Sequence, residues 1–392
     1  MTFASYDDVR RAARRRVPRA VFEFVDGGAG AETTLRANRA AFERVVFDPR
    51  FLVDVAQRET ATTVLGERVA FPVLLAPAGL ARLVHPEGEL AAARAAGAAG
   101  TVFCVSTASS YSLEEIADAA SGPLWFQLYL WRSEQVVDGL VDRARAAGYA
   151  ALVLTIDVPV VGNRERDVRN GVSLRPKLDR RAVLDGARRP GWTYRWFRGA
   201  DVTFANLVDV VPGGVAEMAA FVDRELGAAS ATWDDLDRLR RRWDGPLVVK
   251  GVLSVEDAQE AVRRGADAVY VSNHGGRQLD GSPATLDVLP RIAEAVGDRA
   301  EVLLVGGVRR GEDAVKARAL GARAVLAGRP WFHALAAGGE AVLARQLGLL
   351  RDGVDRTLAL LGVPRLDDVG PGSLVLHDLA PNDRSVDTSG RR

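Results

Sequence analysis

From residue 71 onward the chain alternates short apolar runs with Ala-rich stretches of helical periodicity. The runs are FPVLLA at 71–76, TVFCV at 101–105, LWFQLY at 124–129, ALVLTID at 151–157, PLVVK at 246–250, AVYVS at 268–272, EVLLV at 301–305 and AVLAG at 324–328. Most are apolar throughout, as strands covered on both faces must be. Strands alternating with helices predict successive βα units and a parallel sheet. Roughly eight units over about 260 residues predict an α/β fold of the (β/α)8 TIM-barrel type. The barrel is expected over about 71–345, inside a single domain of residues 1–380. A doubly wound open sheet is the alternative, weakened because no Gly-rich dinucleotide loop follows the first strand. Ahead of the barrel, residues 5–45 read as a helical extension, with Ser5 as a possible N-cap and Pro18 opening a second helix.

One interval breaks the rhythm. About 90 residues, from Val158 to Gly245, separate the fourth and fifth runs, and an insertion is expected at about 170–232. Within it, GARRPGWTYRWFRGADVTFANL mixes Arg, Trp, Tyr and Phe without clear periodicity. Such a segment serves as a lid over a site or, through residues 187–200, as a contact with a membrane interface. The polar tail at 381–392 is expected to be disordered.

Composition narrows the function classes. With 52 basic and 51 acidic side chains the formal charge is +1, which gives no basic surplus for a nucleic-acid partner. Cys104 is the single cysteine, so neither an intrachain disulfide nor a Cys-rich metal site is possible, and no metal is expected. A reducing, cytoplasmic setting fits this usage. The N-terminus lacks the apolar core of a signal peptide, and no run approaches the roughly 18 apolar residues of a membrane span.

The candidate chemistry lies where the runs end. Their last or following residues are ones a packed core would not choose: Pro77–Gly79, Ser106, Gln127 and Tyr129, Thr155 and Asp157, Lys250, Asn273 and His274, Gly306–Arg309, and Gly328–Arg329. In a parallel barrel all strand C-termini open on one face, so these dispersed residues converge on one mouth. Individually each could be a turn or cap residue. Together they point to a site.

The segment VSNHGGRQLD at 271–280 carries most of the chemistry. His274 is suited to proton abstraction near neutral pH, and Arg277 to a bidentate grip on a carboxylate. Asp157, in LTIDVP, could fix the His274 tautomer and stabilise the imidazolium, or simply serve as a helix or turn cap ahead of the Pro. Arg164 in GNRERD is a second carboxylate ligand or part of an exposed charge run. Gly-Arg pairs after the seventh and eighth runs supply a phosphate site, where backbone N–H groups attract anions. Lys250 places a cation at the mouth.

At these residues the chain resembles the FMN-dependent 2-hydroxy acid oxidase and dehydrogenase family, from about Tyr6 to about Gly370. The signature SNHGGRQ carries the likeness, with HPEGE at 85–89, STAS at 106–109, WFQLY at 125–129, GNRERD at 162–167 and VKGVLSVEDA at 249–258. STAS, LWFQLY and RERD read most like the mandelate dehydrogenase and bacterial lactate dehydrogenase branch. The resemblance implies that FMN contacts Pro77, Ala78, Gly79, Ser106, Gln127, Thr155 and Ser272. It sets Lys250 beside flavin N1 and O2, and the phosphate against Gly306, Gly307, Arg309, Gly328 and Arg329. It further implies that Arg164 and Arg277 hold the substrate carboxylate and that Tyr129 and His274 hold its hydroxyl. His274 then removes a proton while two electrons pass to flavin N5, with oxygen or a quinone as final acceptor. A homo-oligomer, a tetramer by this likeness, and a membrane anchor in the insertion are also implied.

Two positions depart from the family pattern. Phe24 stands where the family has a Tyr that bonds the substrate carboxylate, and Val305 where it has an Asp that helps hold the ribityl chain. Gly79 stands where glycolate oxidase-like members carry Ala. The expected reaction is oxidation of an (S)-2-hydroxy acid with an aromatic or bulky side chain. The alternatives are an L-lactate dehydrogenase, a flavin oxidase or monooxygenase with a non-standard substrate, and a catalytically silent barrel used as a scaffold.

Overall fold

Three helices precede the barrel in the computed structural model, which describes residues 2–171, 180–199, 202–211, 217–218, 220–222 and 230–375. Helix α1 spans Tyr6–Arg16 and opens on a capping box, in which the Ser5 hydroxyl accepts from Asp8 N and the Asp8 carboxylate accepts from Ser5 N. Pro18 precedes α2, Arg19–Asp26. The helical stretch expected over 5–45 breaks a second time, because Gly27–Gly30 carries the chain to a third helix, α3, Thr33–Arg44. Three glycines in four positions cost a helix about 1 kcal/mol each relative to Ala, and the helix ends there.

The eight apolar runs form the expected strands. These are β1 Val73–Leu75, β2 Phe103–Ser106, β3 Leu124–Tyr129, β4 Ala151–Thr155, β5 Leu247–Val252, β6 Ala268–Ser272, β7 Glu301–Val305 and β8 Ala324–Ala327. Each pairs in parallel with its sequence neighbours, and β8 pairs with β1 to close the barrel. Closure removes the open-sheet alternative.

Side-chain alternation sorts each strand into two layers. Outward residues such as Phe103, Phe126, Leu152 and Val249 pack on the helices in one large cluster. Inward residues fill the barrel: Leu74, Cys104, Trp125, Val153, Val248, Tyr270, Leu303 and Leu326. Val64 and Val69, from the hairpin Thr62–Val64 and Glu67–Val69, close the lower end of this inner cluster. One two-residue step further along the strands, the same inward parity yields Ser106, Gln127, Thr155, Lys250 and Ser272, all buried. A polar layer therefore sits directly on the apolar one. That is the floor of the mouth.

The long connection after β4 contains helices at Glu165–Arg169, Arg180–Ala187 and Pro190–Arg198. The aromatic stretch without visible periodicity is thus partly helical, started by Pro190 in the first turn. Trp192 stacks on Trp196 at 5.1 Å and donates its indole N–H to Leu83 O, while Tyr194 and Phe197 face outward. Residues 172–179 of the insertion and the tail at 381–392 lie outside the described residues. The final helix, Arg329–Leu361, is broken at Gly338 and Gly339. No helix among the described residues is long and apolar enough to cross a membrane.

Candidate active site

His274 follows β6 directly and takes a left-handed backbone conformation, φ 56°. A non-Gly residue there is strained and needs outside support. Its N–H donates to Ser272 Oγ at 3.1 Å, and the next two residues are Gly275 and Gly276, also at positive φ. A Cβ on Gly276 would lie 2.7 Å from Leu35 N at the start of α3, so glycine allows this loop and α3 to meet. The turn aims the imidazole across the mouth.

There His274 Nδ1 lies 3.0 Å from Asp157 Oδ1 and 3.1 Å from Lys250 Nζ. Lys250 Nζ is itself 3.6 Å from Asp157 Oδ1. A neutral imidazole has one N–H, and a carboxylate can only accept. Placing that hydrogen on Nδ1 pairs it with Asp157 Oδ1, leaves the Lys250 ammonium, which can only donate, to the same carboxylate, and leaves Nε2 as the basic nitrogen. Burial, and after it Lys250, lower the His274 pKa to about 4 against the pull of Asp157, so the ring is neutral at pH 7. Burial works to raise Asp157, but Lys250 and His274 outweigh it and hold the carboxyl below its usual range. Asp157 Oδ2 is buried without a hydrogen-bond partner.

Around this pair the other expected residues gather. Tyr129 ends β3, and burial followed by Asp157 raises its hydroxyl to about 12 despite Arg164 and Arg277. Arg277 lies over the Phe24 ring at 5.2 Å. Its Nη1 donates to Phe24 O at 2.6 Å and to Gly27 O at 3.0 Å. Arg164 Nε donates to Arg277 O at 3.5 Å. On the floor, Ser106 Oγ donates to Gln127 Oε1 and Gln127 Nε2 to Thr155 Oγ1, each at 2.9 Å.

The loops after β7 and β8 are more committed than the sequence suggested. Arg329 donates from Nε to Val25 O, from Nη1 to Gly275 O and from Nη2 to Gly27 O. Arg277 and Arg329 together therefore hold the C-terminal end of α2, where the helix dipole is negative. Arg309 packs over the Tyr6 ring and makes no side-chain hydrogen bond to a described residue. Asp313 accepts from Arg309 N, Arg310 N and Arg39 Nη1, which fixes the loop that begins at Gly306 and Gly307. Val305 is buried at the end of β7.

Sequence reasoning missed Asn38, Asp26 and the role of Glu89. Asn38 and Asn273 form a reciprocal amide pair, 2.9 and 2.8 Å, that binds α3 to the end of β6. Asp26 accepts a bidentate ion pair from Arg10. Glu89, in HPEGE, is buried and accepts from Ala81 N and Ser110 N, tying the loop after β1 to the loop after β2. The signal in the sequence was an acid at the head of the Ala-rich stretch 88–98, whose composition marks a buried helix.

The family model of FMN-dependent dehydrogenases matches residues 13–376. The chain belongs to this family. L-Lactate dehydrogenase of Caulobacter vibrioides is 44% identical over 93% of this chain and 95% of its own length. (S)-Mandelate dehydrogenase of Pseudomonas putida is 42% identical over 94% and 93%. A crystal structure of monotopic membrane protein (S)-mandelate dehydrogenase superposes with a TM-score of 0.93 at 40% identity, covering 96% of this chain and 100% of that one. The protein is thus an FMN-dependent oxidoreductase of the 2-hydroxy acid dehydrogenase and oxidase group. The mouth suits that cofactor. Its floor is a buried row of hydroxyl, amide and ammonium groups, and the loop after β7 carries Gly306 and Gly307 just ahead of Arg309.

Proposed function

We propose that this family member oxidises an (S)-2-hydroxy acid with an aromatic or bulky side chain to the 2-oxo acid, with His274 as the base. The observation that carries the reading is the neutral His274 imidazole, oriented through Nδ1 by Asp157, beside a Tyr129 hydroxyl that Arg164 and Arg277 both influence. Ser106, Gln127, Thr155, Ser272 and Lys250, with Pro77, Ala78 and Gly79, would hold the flavin ring. Gly306, Gly307, Gly328 and Arg309 would hold the phosphate end, with Arg329 bracing the wall. When bound, FMN accepts the two electrons that leave the substrate.

Arg277 and Arg164 neutralise the substrate carboxylate. Tyr129, protonated far beyond neutral pH, donates to a substrate oxygen. His274 Nε2 takes a proton from the substrate, and the imidazolium that forms is stabilised by Asp157. Phe24 gives the carboxylate side of the pocket an apolar ring in place of a hydroxyl donor. That supports a bulky substrate such as mandelate over glycolate or lactate. It equally favours a second reading, an oxidase or monooxygenase with a non-standard substrate.

The outward Tyr194 and Phe197, 58% and 77% exposed, support peripheral contact with a membrane through 187–199. The test of the reaction is an anaerobic titration of the purified holoenzyme with mandelate, lactate and glycolate, following flavin absorbance. Bleaching fastest with mandelate is the expected result. No bleaching with any of the three would sink the hydroxy-acid reading.

A further inference from the structure

Outside the cluster of His274, Asp157 and Lys250, the end of α1, the insertion and the break in the last helix border a hollow of about 390 Å³. Arg15, Arg16, Arg188, Arg189, Arg195 and His85 line it. Among the described residues only Arg189 of these five arginines has a carboxylate in ion-pair range, Asp185 at 2.9 Å. Arg195 Nε is buried without a partner. Cations in the last turn of α1 are favoured by its dipole, which accounts for Arg15 and Arg16 singly. It does not account for Arg188 and Arg195 arriving from another element to face them. Four guanidinium groups without ion pairs around one concavity repel each other, and an anion relieves that repulsion.

The hollow is also shaped. A Cβ on Gly338 would lie 3.0 Å from Arg16 Nη1, and one on Gly339, at φ +70°, would lie 2.8 Å from His85 Nε2. The break in the last helix therefore admits both basic groups. Burial first, and then the neighbouring Arg195, lower the His85 pKa, in keeping with a positive interior. Beside the hollow lies the helix Pro190–Arg198, whose Tyr194 and Phe197 face outward.

We infer that this hollow binds a phosphate ester, carried in the cell by the headgroup of an anionic lipid. Guanidinium groups match phosphate oxygens in bidentate geometry, and the volume suits a group of headgroup size. The inference deepens the peripheral-membrane reading and rests on it only for the source of the phosphate. Trp192 lines the same hollow and donates to Leu83 O, which ties this wall to the connection after β1.

The test uses the holoenzyme, whose own phosphate site is filled, and two probes. Pyrophosphate is titrated calorimetrically, and flotation compares vesicles of phosphatidylcholine alone with vesicles containing phosphatidylglycerol. The variants are Arg15→Gln with Arg188→Gln, Arg195→Gln alone, and Phe197→Ser, each checked for flavin content and melting temperature. Expected is pyrophosphate binding that weakens about tenfold or more in each arginine variant, is unchanged in Phe197→Ser, and is displaced by phosphatidylglycerol vesicles. Pyrophosphate binding with that arginine dependence but no flotation would keep the phosphate site, with a soluble ester as occupant, and remove the membrane reading. Equal flotation on both vesicles, with no arginine-dependent pyrophosphate binding, would remove the phosphate site and keep the membrane reading. Absence of both would remove both.

Discussion

His274 Nδ1 and Asp157 Oδ1 stand 3.0 Å apart across the barrel mouth, on residues 117 positions apart in sequence. The contact joins the end of β4 to the end of β6, and Lys250 of β5 lies between them. Three adjacent strands thus contribute acid, cation and base to one cluster. Burial first, and then the cation, depress the basicity of the imidazole, and the carboxylate restores part of it.

His274→Gln is expected to leave FMN bound and to slow flavin reduction by about 10²–10⁴-fold. Asp157→Asn should act on the same step less severely, because the amide still meets Nδ1 but supplies no charge to the imidazolium. Stopped-flow reduction by the best substrate measures both. Near-parental rates in the Gln variant would show that another group is the base.

Stability should fall on acidification. Burial, foremost, lowers His274 to about 4 and His333 to about 3, below an unfolded value near 6.5. Between those values the unfolded chain binds protons that the folded protein refuses, so stability is present above pH ~6.5 and drains away towards pH ~3–4. Asp26 works in the same direction at lower pH. Burial alone would raise it, but the ion pair with Arg10 and the nearby His333 bring it to about 2. Melting temperature measured from pH 7.5 to 5 should drop, and the drop should be shallower in His274→Gln. A flat profile in the parent protein would contradict the buried neutral histidines.

Much of this site was legible in the chain. The parity of inward residues carries Cys104 to Ser106, Trp125 to Gln127 and Val248 to Lys250, so the polar layer follows from strand periodicity alone. Asp157 and His274 could be placed at the mouth for the same reason. What arginines do once there could not. Arg277 and Arg329 read as free anion ligands, yet both donate to carbonyls of α2 and Gly27, roughly 250–300 positions away. No local pattern announces a hydrogen bond between a barrel loop and a distant helix end. The aromatic insertion failed for a different reason: its helix has only 9 residues, too few turns for a period to emerge.

Gly79 illustrates a constraint from packing. A Cβ at this position would lie 2.6 Å from both Ala108 O and Ala108 Cβ, so Gly79→Ala must push the loop after β1 away from the loop after β2. The expected result is weaker FMN binding and an altered ratio of reoxidation by oxygen and by quinone, with the parent favouring quinone. Ala108→Gly in the same chain should recover part of the affinity by removing one of the two collisions. Flavin fluorescence titration and anaerobic mixing with each acceptor measure these effects. Unchanged affinity in Gly79→Ala would mean that the two loops do not meet as closely as they do here.

Phe24 lies under Arg277, and the same residue's carbonyl accepts from Arg277 Nη1 at 2.6 Å. The guanidinium is therefore held from below by a ring and from the side by a carbonyl, which leaves its remaining donors for a substrate carboxylate. Phe24→Tyr keeps the ring and adds a hydroxyl on this side of the pocket. A hydrogen bond to a charged group is worth about 1.5–3 kcal/mol, or roughly 10–100-fold in binding where the carboxylate can reach it. Small acids can settle against that hydroxyl, whereas an aromatic substrate must share space with it. The variant is thus expected to raise kcat/KM for glycolate and lactate and to leave mandelate unchanged or worse. Steady-state kinetics on the three acids in both forms decide the matter. Loss of activity on all three in the Tyr variant would mean that the pocket is shaped for a substrate without a free carboxylate, because only then is a new donor beside Arg277 purely an obstacle.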